Sequence, residues 1–318
     1  MILVTGATGF LGSELVRQLA SHNKPIRAIK RSTSVVPEIR KQQKNIDWID
    51  ADVLDYFSLQ EAFDHVSQVY HCAAVVSFSP SDKKRMLQTN VQGTANVVNL
   101  CLDKNVQKLV HVSSIAALGD GKLNQPITEN DHWEFTSKQS SYAISKYESE
   151  MEVFRAVAEG LNAIVVNPSI ILGENASKSG SGMLFEAVKN GLSYYPGGTC
   201  GLVAVEDVVE SMIALMNGDF SAERYIISAE TWLYRDLFTE IAFQLRVNPP
   251  NKELKPWMLQ ATLLANFMTN LITKNSNGLT KDMARILVKK RDYVNSKIKK
   301  TIGIEFKSIK QVIAEVCD

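Results

Sequence analysis

The sequence has no excess of either charge. Lys and Arg number 35, Asp and Glu 34, and the formal net charge is +1. A polyanion-binding face is not expected, and composition disfavours nucleic acid as a partner. Cysteine is scarce: Cys72, Cys101, Cys200 and Cys317 lie far apart and form no CxxC pair. That pattern fits reduced, mostly buried thiols in a cytoplasmic protein rather than a disulfide scaffold. The five histidines show no ligand spacing such as HxxxH, so no metal site is expected. No leader peptide is expected either: Ile2-Leu3-Val4 is too short for an apolar leader core. Without a secretory signal, the sequon Asn175-Ala176-Ser177 reads as a chance match. Internal repeats and low-complexity tracts are also missing.

Long apolar runs are equally rare. Trp257 to Ile272 comes nearest, with Met258, Leu259, Leu263, Leu264, Phe267, Met268 and Leu271. Polar residues at 262, 266, 269, 270 and 273 recur at helical spacing, which marks one polar stripe on a wide apolar helix. Such a segment is too short and too polar to span a bilayer. It is read first as a helix packed on the core. The alternatives are a lid over an apolar substrate, or a contact with a partner or membrane surface.

What is present is an ordinary globular balance, 45% hydrophobic and 22% charged over 318 residues. That length serves one large α/β domain or two coupled lobes. Strands are predicted at Ile2-Thr5, Pro25-Lys30, Ile46-Ile49, Gln68-His71, Lys108-Ser113 and Ala163-Asn167. Helices are predicted at Phe10-Ser21, around Leu59-Phe63, from about Lys83 to Leu102, and at Ser141 to Ala158. The alternation predicts a doubly wound parallel sheet of Rossmann type, with right-handed crossovers. The rhythm breaks after about Gly173. Val205-Met216 reads as one more helix, and from Arg224 onward the chain reads as mostly helical, ending on Ile309-Val316. The expected division is residues 1–173 for dinucleotide binding, with 200–220 returning to it. Residues 174–199 and 221–318 then form a smaller, mostly helical substrate lobe.

Thr5-Gly6-Ala7-Thr8-Gly9-Phe10-Leu11-Gly12 has the spacing GxxGxxG between a strand and an amphipathic helix. Gly6 permits the tight turn, Gly9 lets backbone approach a phosphate, and Gly12 lets helix and strand close up. The N–H groups of the helix start then face a pyrophosphate. The second strand ends Ala28-Ile29-Lys30-Arg31, with no carboxylate for a ribose 2′-hydroxyl. Lys30 and Arg31 stand where a 2′-phosphate would lie, so NADP(H) is favoured over NAD(H). Asp52-Val53 is placed near the adenine edge, and Ala73-Ala74 offers small side chains where backbone passes the cofactor.

Tyr142-Ala143-Ile144-Ser145-Lys146 puts a phenol and an ammonium one helical turn apart. A free tyrosine titrates near pH 10, and a nearby cation is expected to lower that value. Ser114, after a strand ending in two hydroxyls, is placed to bond a substrate oxygen. Asn90 is expected to hold a water or backbone group that orients Lys146. Asn167-Pro168-Ser169 turns out of the sheet beside the nicotinamide, because proline cannot continue a central ladder.

Taken together, these strings resemble the extended short-chain dehydrogenase/reductases. The likeness rests on TGATGFLG, Asp52-Val53, His71-Cys72-Ala73-Ala74, Asn90-Val91-Gln92-Gly93-Thr94, Val112-Ser113-Ser114, YAISK, Asn167 to Gly173 and Val205-Glu206-Asp207-Val208. It implies a catalytic set of Ser114, Tyr142 and Lys146 supported by Asn90, a small-molecule substrate, and a homodimer through 83–102 and 141–158. Arg31, Ser113-Ser114-Ile115 and VVNPSIILG look most like the dihydroflavonol and cinnamoyl-CoA reductase branch. Sugar dehydratases of the family carry an acidic pair where Ile115-Ala116 stand here. The expected activity is carbonyl/alcohol interconversion with NADPH. The alternatives are a nucleotide-sugar epimerase using bound NAD, a steroid-type hydroxy-dehydrogenase, and a cofactor-binding regulator without turnover.

Overall fold

The computed structural model describes residues 1–318 apart from 37–42, 123–124, 132, 137–138, 175, 177–179, 256 and 259–279. The apolar stretch expected to be a helix at 257–272 falls almost wholly outside the described residues. Twelve strands are described: β1 (Ile2–Thr5), β2 (Ile26–Lys30), β3 (Ile46–Asp50), β4 (Gln68–His71), β5 (Lys108–Val112), β6 (Ala163–Pro168), β7 (Ile170–Leu172), β8 (Tyr194–Pro196), β9 (Thr199–Ala204), β10 (Glu223–Ile227), β11 (Glu230–Leu233) and β12 (Lys252–Leu254). The helices are α1 (Phe10–Ser21), α2 (Tyr56–Ala62), α3 (Lys83–Leu87), α4 (Gly93–Asp103), α5 (Ser141–Ala158), α6 (Gly182–Lys189), α7 (Val205–Asn217), α8 (Tyr234–Leu245), α9 (Lys281–Leu287), α10 (Ser296–Ile302) and α11 (Ile309–Cys317).

Seven strands form one sheet in the order β10-β6-β5-β4-β1-β2-β3. Every pairing in it is parallel. Parallel sheets of this kind are covered on both faces, which is why β1, β5 and β6 are buried at every position. Alternation sends Val4, Tyr70 and Val110 to the side of α1 and α7. Leu3, Val69 and Leu109 point the other way, toward the core formed with α4 and α5. Strand order reverses between β1 and β4, and such a switch point opens a crevice at the carboxyl ends of the strands.

Two features depart from the sequence reading. Glu223–Ile227, within the region expected to be mostly helical, is the seventh strand of the central sheet, paired along Ala163–Pro168. The helix expected from Lys83 to Leu102 is not continuous: Gln88–Gln92 forms a π-helical turn between α3 and α4. Wide turns of this kind gather at functional sites, and this one contains Asn90.

The C-terminal region has its own core, in which Leu172, Phe185, Leu202, Leu237, Phe238, Ile241 and Ile309 meet. Two small sheets serve it, β11-β9-β7 and β12-β8. Among the described residues no helix is long and apolar enough to cross a membrane.

Candidate active site

The glycine turn is enforced by contact. Gly6 has φ +66, and a Cβ there would lie 2.7 Å from the Ala73 backbone nitrogen. At Gly12 a Cβ would run into the Gly6 carbonyl oxygen, so strand and helix meet only without side chains. Gly9 differs. It is the N-cap of α1, no side chain caps that helix, and a Cβ there meets only the Gly6 oxygen, at 3.2 Å. Packing at 9 is looser than at 6 and 12, although that single contact is still a close one. The N–H groups of Phe10, Leu11 and Gly12 at this helix start have no side-chain cap, the arrangement that favours an anion at a helix N-terminus. Thr8 is exposed at the turn, and Phe10 sets its ring against Gly173.

At the end of β2 the two cations differ. Lys30 is ion-paired with Asp50 of β3. Arg31 is exposed, and its side chain has no partner among the described residues. Asp52 uses Oδ1 to accept from the Leu54 amide at 2.9 Å, which closes a local turn. Val53 packs on Gly93, where a Cβ would stand 2.8 Å from its Cγ2. Ala73 donates its amide to Thr5 Oγ1 at 3.2 Å, and Ala74 is exposed.

Ser114 follows β5 and starts a 3₁₀ turn, its Oγ accepting from the Ala116 amide at 3.2 Å. Its hydroxyl is also the polar group that favours ionisation of the Tyr142 phenol, presented by the first turn of α5. Ser140 starts α5 by accepting from the Ala143 amide at 3.1 Å. The Phe78 ring stands edge-on to Tyr142, 5.7 Å between centroids. Lys146 is buried, and its Nζ donates to the Val112 carbonyl at 2.9 Å, at the end of β5.

These contacts correct one expectation. Tyr142 is pushed above the ordinary tyrosine value by burial, and the group working against that rise is the Ser114 hydroxyl. The Lys146 charge is not what lowers it. The ammonium is tied to the Val112 carbonyl, and its own titration is drawn down to about 8 by burial, with Glu150 and Cys72 pulling the other way.

Asn90 reaches two elements from the π turn. Its Oδ1 accepts from the Val75 amide at 2.7 Å, and its Nδ2 donates to the Val75 carbonyl and to Ser145 Oγ, both at 3.0 Å. It thus links the chain after β4 to the residue before Lys146. Asn167, the penultimate residue of β6, donates from Nδ2 to the Ser114 carbonyl at 3.0 Å and to Glu150 Oε1 at 2.5 Å. Pro168 ends β6 opposite Ile227, and Ser169 donates its amide to the Ile227 carbonyl at 3.0 Å.

Sequence reasoning missed the polar residues beneath this surface. His71 and His111 are neighbours across β4 and β5, 5.2 Å between ring centroids. Thr94 Oγ1 donates to the Asn90 carbonyl at 2.6 Å, so it accepts from His71 Nε2. His71 Nδ1 then accepts from Thr5 Oγ1 at 2.7 Å. Burial holds both imidazoles neutral, drawing His71 down to about 3 and His111 well below its usual value. Glu150, fully buried, faces Arg224 of β10 at 3.4 Å. The i,i+4 spacing of Lys146 and Glu150 was visible, but such pairs are ordinarily solvated; burial makes this one different. Among the described residues no group of three His, Cys, Asp or Glu could hold a metal ion.

The profile of the NAD dependent epimerase/dehydratase family matches residues 2–228, and the chain belongs to that family. It is similar to sterol demethylase protein B of Methylococcus capsulatus, at 31% identity over 233 residues, covering 72% of this chain and 69% of the relative. It is also similar to a putative dihydroflavonol 4-reductase of Synechocystis, at 24% identity over 98% of this chain and 92% of the relative. Among solved structures, gox2253 superposes with a TM-score of 0.85 at 27% identity, covering 99% of this chain and 96% of that one. Thermotoga maritima UDP-glucose 4-epimerase superposes at 0.80 and 20% identity, over 99% and 97%, which shows a shared fold. The chain is therefore an NAD(P)-dependent enzyme of the extended short-chain dehydrogenase/reductase type, acting on a small molecule.

Proposed function

We propose that the chain is an NADPH-dependent reductase that interconverts a carbonyl and an alcohol on a small organic substrate. The observation that carries this reading is the convergence at the carboxyl edge of β5 of Ser114, of Tyr142 from the first turn of α5, and of the buried Lys146 ammonium, which donates to the Val112 carbonyl at the end of the same strand. A bound nicotinamide supplies or accepts the hydride. Tyr142 Oη gives its proton to the carbonyl oxygen during reduction, and the raised titration point keeps that phenol protonated at neutral pH. Ser114 Oγ donates to the same oxygen and, once the proton has left, to the phenolate. Lys146 supplies a fixed positive charge in a low-dielectric site, where charge acts strongly.

The preference for NADPH rests on Arg31. With Lys30 engaged by Asp50, Arg31 is the cation available for a 2′-phosphate at the end of β2. Sugar dehydration is disfavoured because Ile115-Ala116 follow Ser114 without a carboxylate, and bound-NAD epimerisation because β2 ends without one; the Phe78 ring adds an apolar wall on Tyr142. Relatives named dihydroflavonol 4-reductase and cinnamoyl-CoA reductase support the same direction. The test is a panel of apolar ketones, aldehydes and nucleotide sugars, read by loss of NADPH absorbance and, for the sugars incubated with NAD, by chromatography of the products. Turnover of carbonyl compounds is expected; turnover confined to nucleotide sugars without net cofactor oxidation would replace this reading with epimerisation.

A further inference from the structure

Helix α5 carries a third ionisable side chain near the site besides Tyr142 and Lys146. Glu150 lies one turn beyond Lys146 and is fully buried. A carboxylate taken out of water costs several kcal/mol unless partners surround it. Every polar neighbour of Glu150 is a donor. Asn167 Nδ2 donates to Oε1 at 2.5 Å and Arg224 Nη1 faces Oε2 at 3.4 Å, while the nearby Ser113 hydroxyl is buried without a hydrogen-bond partner of its own. Burial raises the titration point of Glu150, and all three neighbours oppose that rise by favouring the ionised form. Arg224 is anchored in turn, with Nε and Nη2 donating to the carbonyls of Glu129 and Asp131 at 2.9 and 3.0 Å.

The remaining groups that face Lys146 carry no charge at neutral pH. His71 of β4 and His111 of β5 are held neutral by burial, and the Cys72 thiol is pushed up to about 12. Glu150 is thus the one anion acting on the Lys146 ammonium among the described residues. We propose that Glu150, held by Arg224 and Asn167, is a positioning residue that keeps the Lys146 amine protonated inside the crevice. The proposal rests on the role given above to Lys146, and it explains why a buried ion pair is built into β6, β10 and α5 behind a catalytic surface.

The test reads Lys146 directly and needs neither cofactor nor substrate. Protein labelled with ¹³C at lysine Cε is titrated by NMR, and the resonance of residue 146 is assigned with Lys146→Met. The wild-type midpoint is expected at about 8. Glu150→Gln keeps the shape and removes the charge, and should lower that midpoint by about one pH unit. Glu150→Gln combined with Arg224→Met leaves no guanidinium stranded beside the lost carboxylate and guards against a single variant that does not fold. The same downward displacement is expected there, since Arg224 is not among the groups that set the Lys146 titration. Glu150→Asp retains the charge and should return the midpoint most of the way. A wild-type midpoint in the ordinary lysine range, or one that stays put in the charge-removing variants while only their melting temperatures fall, overturns the proposal. Failure of the wild type to bind NADPH in a fluorescence titration would instead remove the reductase reading and leave the midpoint comparison to decide on Glu150.

Discussion

Around β1 and β2 the crevice is made of backbone. Its functional atoms are amides of the turn after Thr5, shaped by glycines that allow Gly6 to touch Ala73 and Gly12 to touch Gly6. Around β4, β5 and β6 it is made of side chains, and the layer beneath holds His71, His111, Lys146, Glu150 and Asn167 out of solvent. The two halves shape the same sheet edge by different means. A backbone cradle needs only a short, local sequence and carries no ionisable group. A side-chain site must bring charges into a low-dielectric interior, where each one needs its own partner. The second half is therefore where pH dependence and sensitivity to substitution should concentrate.

The largest effect should come from the side-chain half. Tyr142→Phe removes the proton donor and should reduce turnover by about 10²- to 10⁴-fold. NADPH affinity by fluorescence should stay near wild type; retained turnover would remove the phenol from the mechanism. Next comes acid stability. His71 is drawn down to about 3 and His111 also lies below its unfolded value, so the unfolded chain binds more protons than the folded one as pH falls. Their contribution is complete above about pH 6.5 and is lost on going down from there, by about 1.4 kcal/mol per pH unit for each imidazole. Denaturant titrations at pH 7.5, 6 and 5 should show this loss, and equal stability at all three would contradict neutral burial.

Two smaller tests address the backbone half. Gly12→Ala should cost about 1–3 kcal/mol by overpacking against the Gly6 carbonyl, measured by urea unfolding, and should weaken dinucleotide binding with it. Arg31→Ala should weaken NADPH binding by about 10- to 100-fold, the worth of a hydrogen bond to a charged group, and leave NADH binding unchanged. Equal losses for both cofactors would assign Arg31 to the fold rather than to the 2′-phosphate.

Local elements were legible because their signals are local. Phe10–Ser21 and Ser141–Ala158 have the bounds that apolar spacing and capping residues predict. The glycine turn declared its tight geometry through three glycines. Glu223–Ile227 was not legible: it lies between helix α7 and the short strand β11, and only its pairing with β6 makes it a strand of the central sheet. The π turn at Gln88–Gln92 was hidden for a similar reason. Its widening holds Asn90 against Val75 and Ser145, contacts that lie 15 and 55 residues away.

The alternation of strands and helices in the first half, the tight glycine turn and the proposed dinucleotide cradle and reacting hydroxyls follow from short strings whose geometry is set within a few residues of themselves. Folding in three dimensions settled the charges. It separated Lys30 from Arg31 by giving one of them Asp50, tied Lys146 to Val112, and enclosed Glu150 with Arg224 from a strand 74 residues further along. The reason is that ionisation depends on desolvation and on neighbours within a few ångströms, and those neighbours come from elements that meet only in the folded chain.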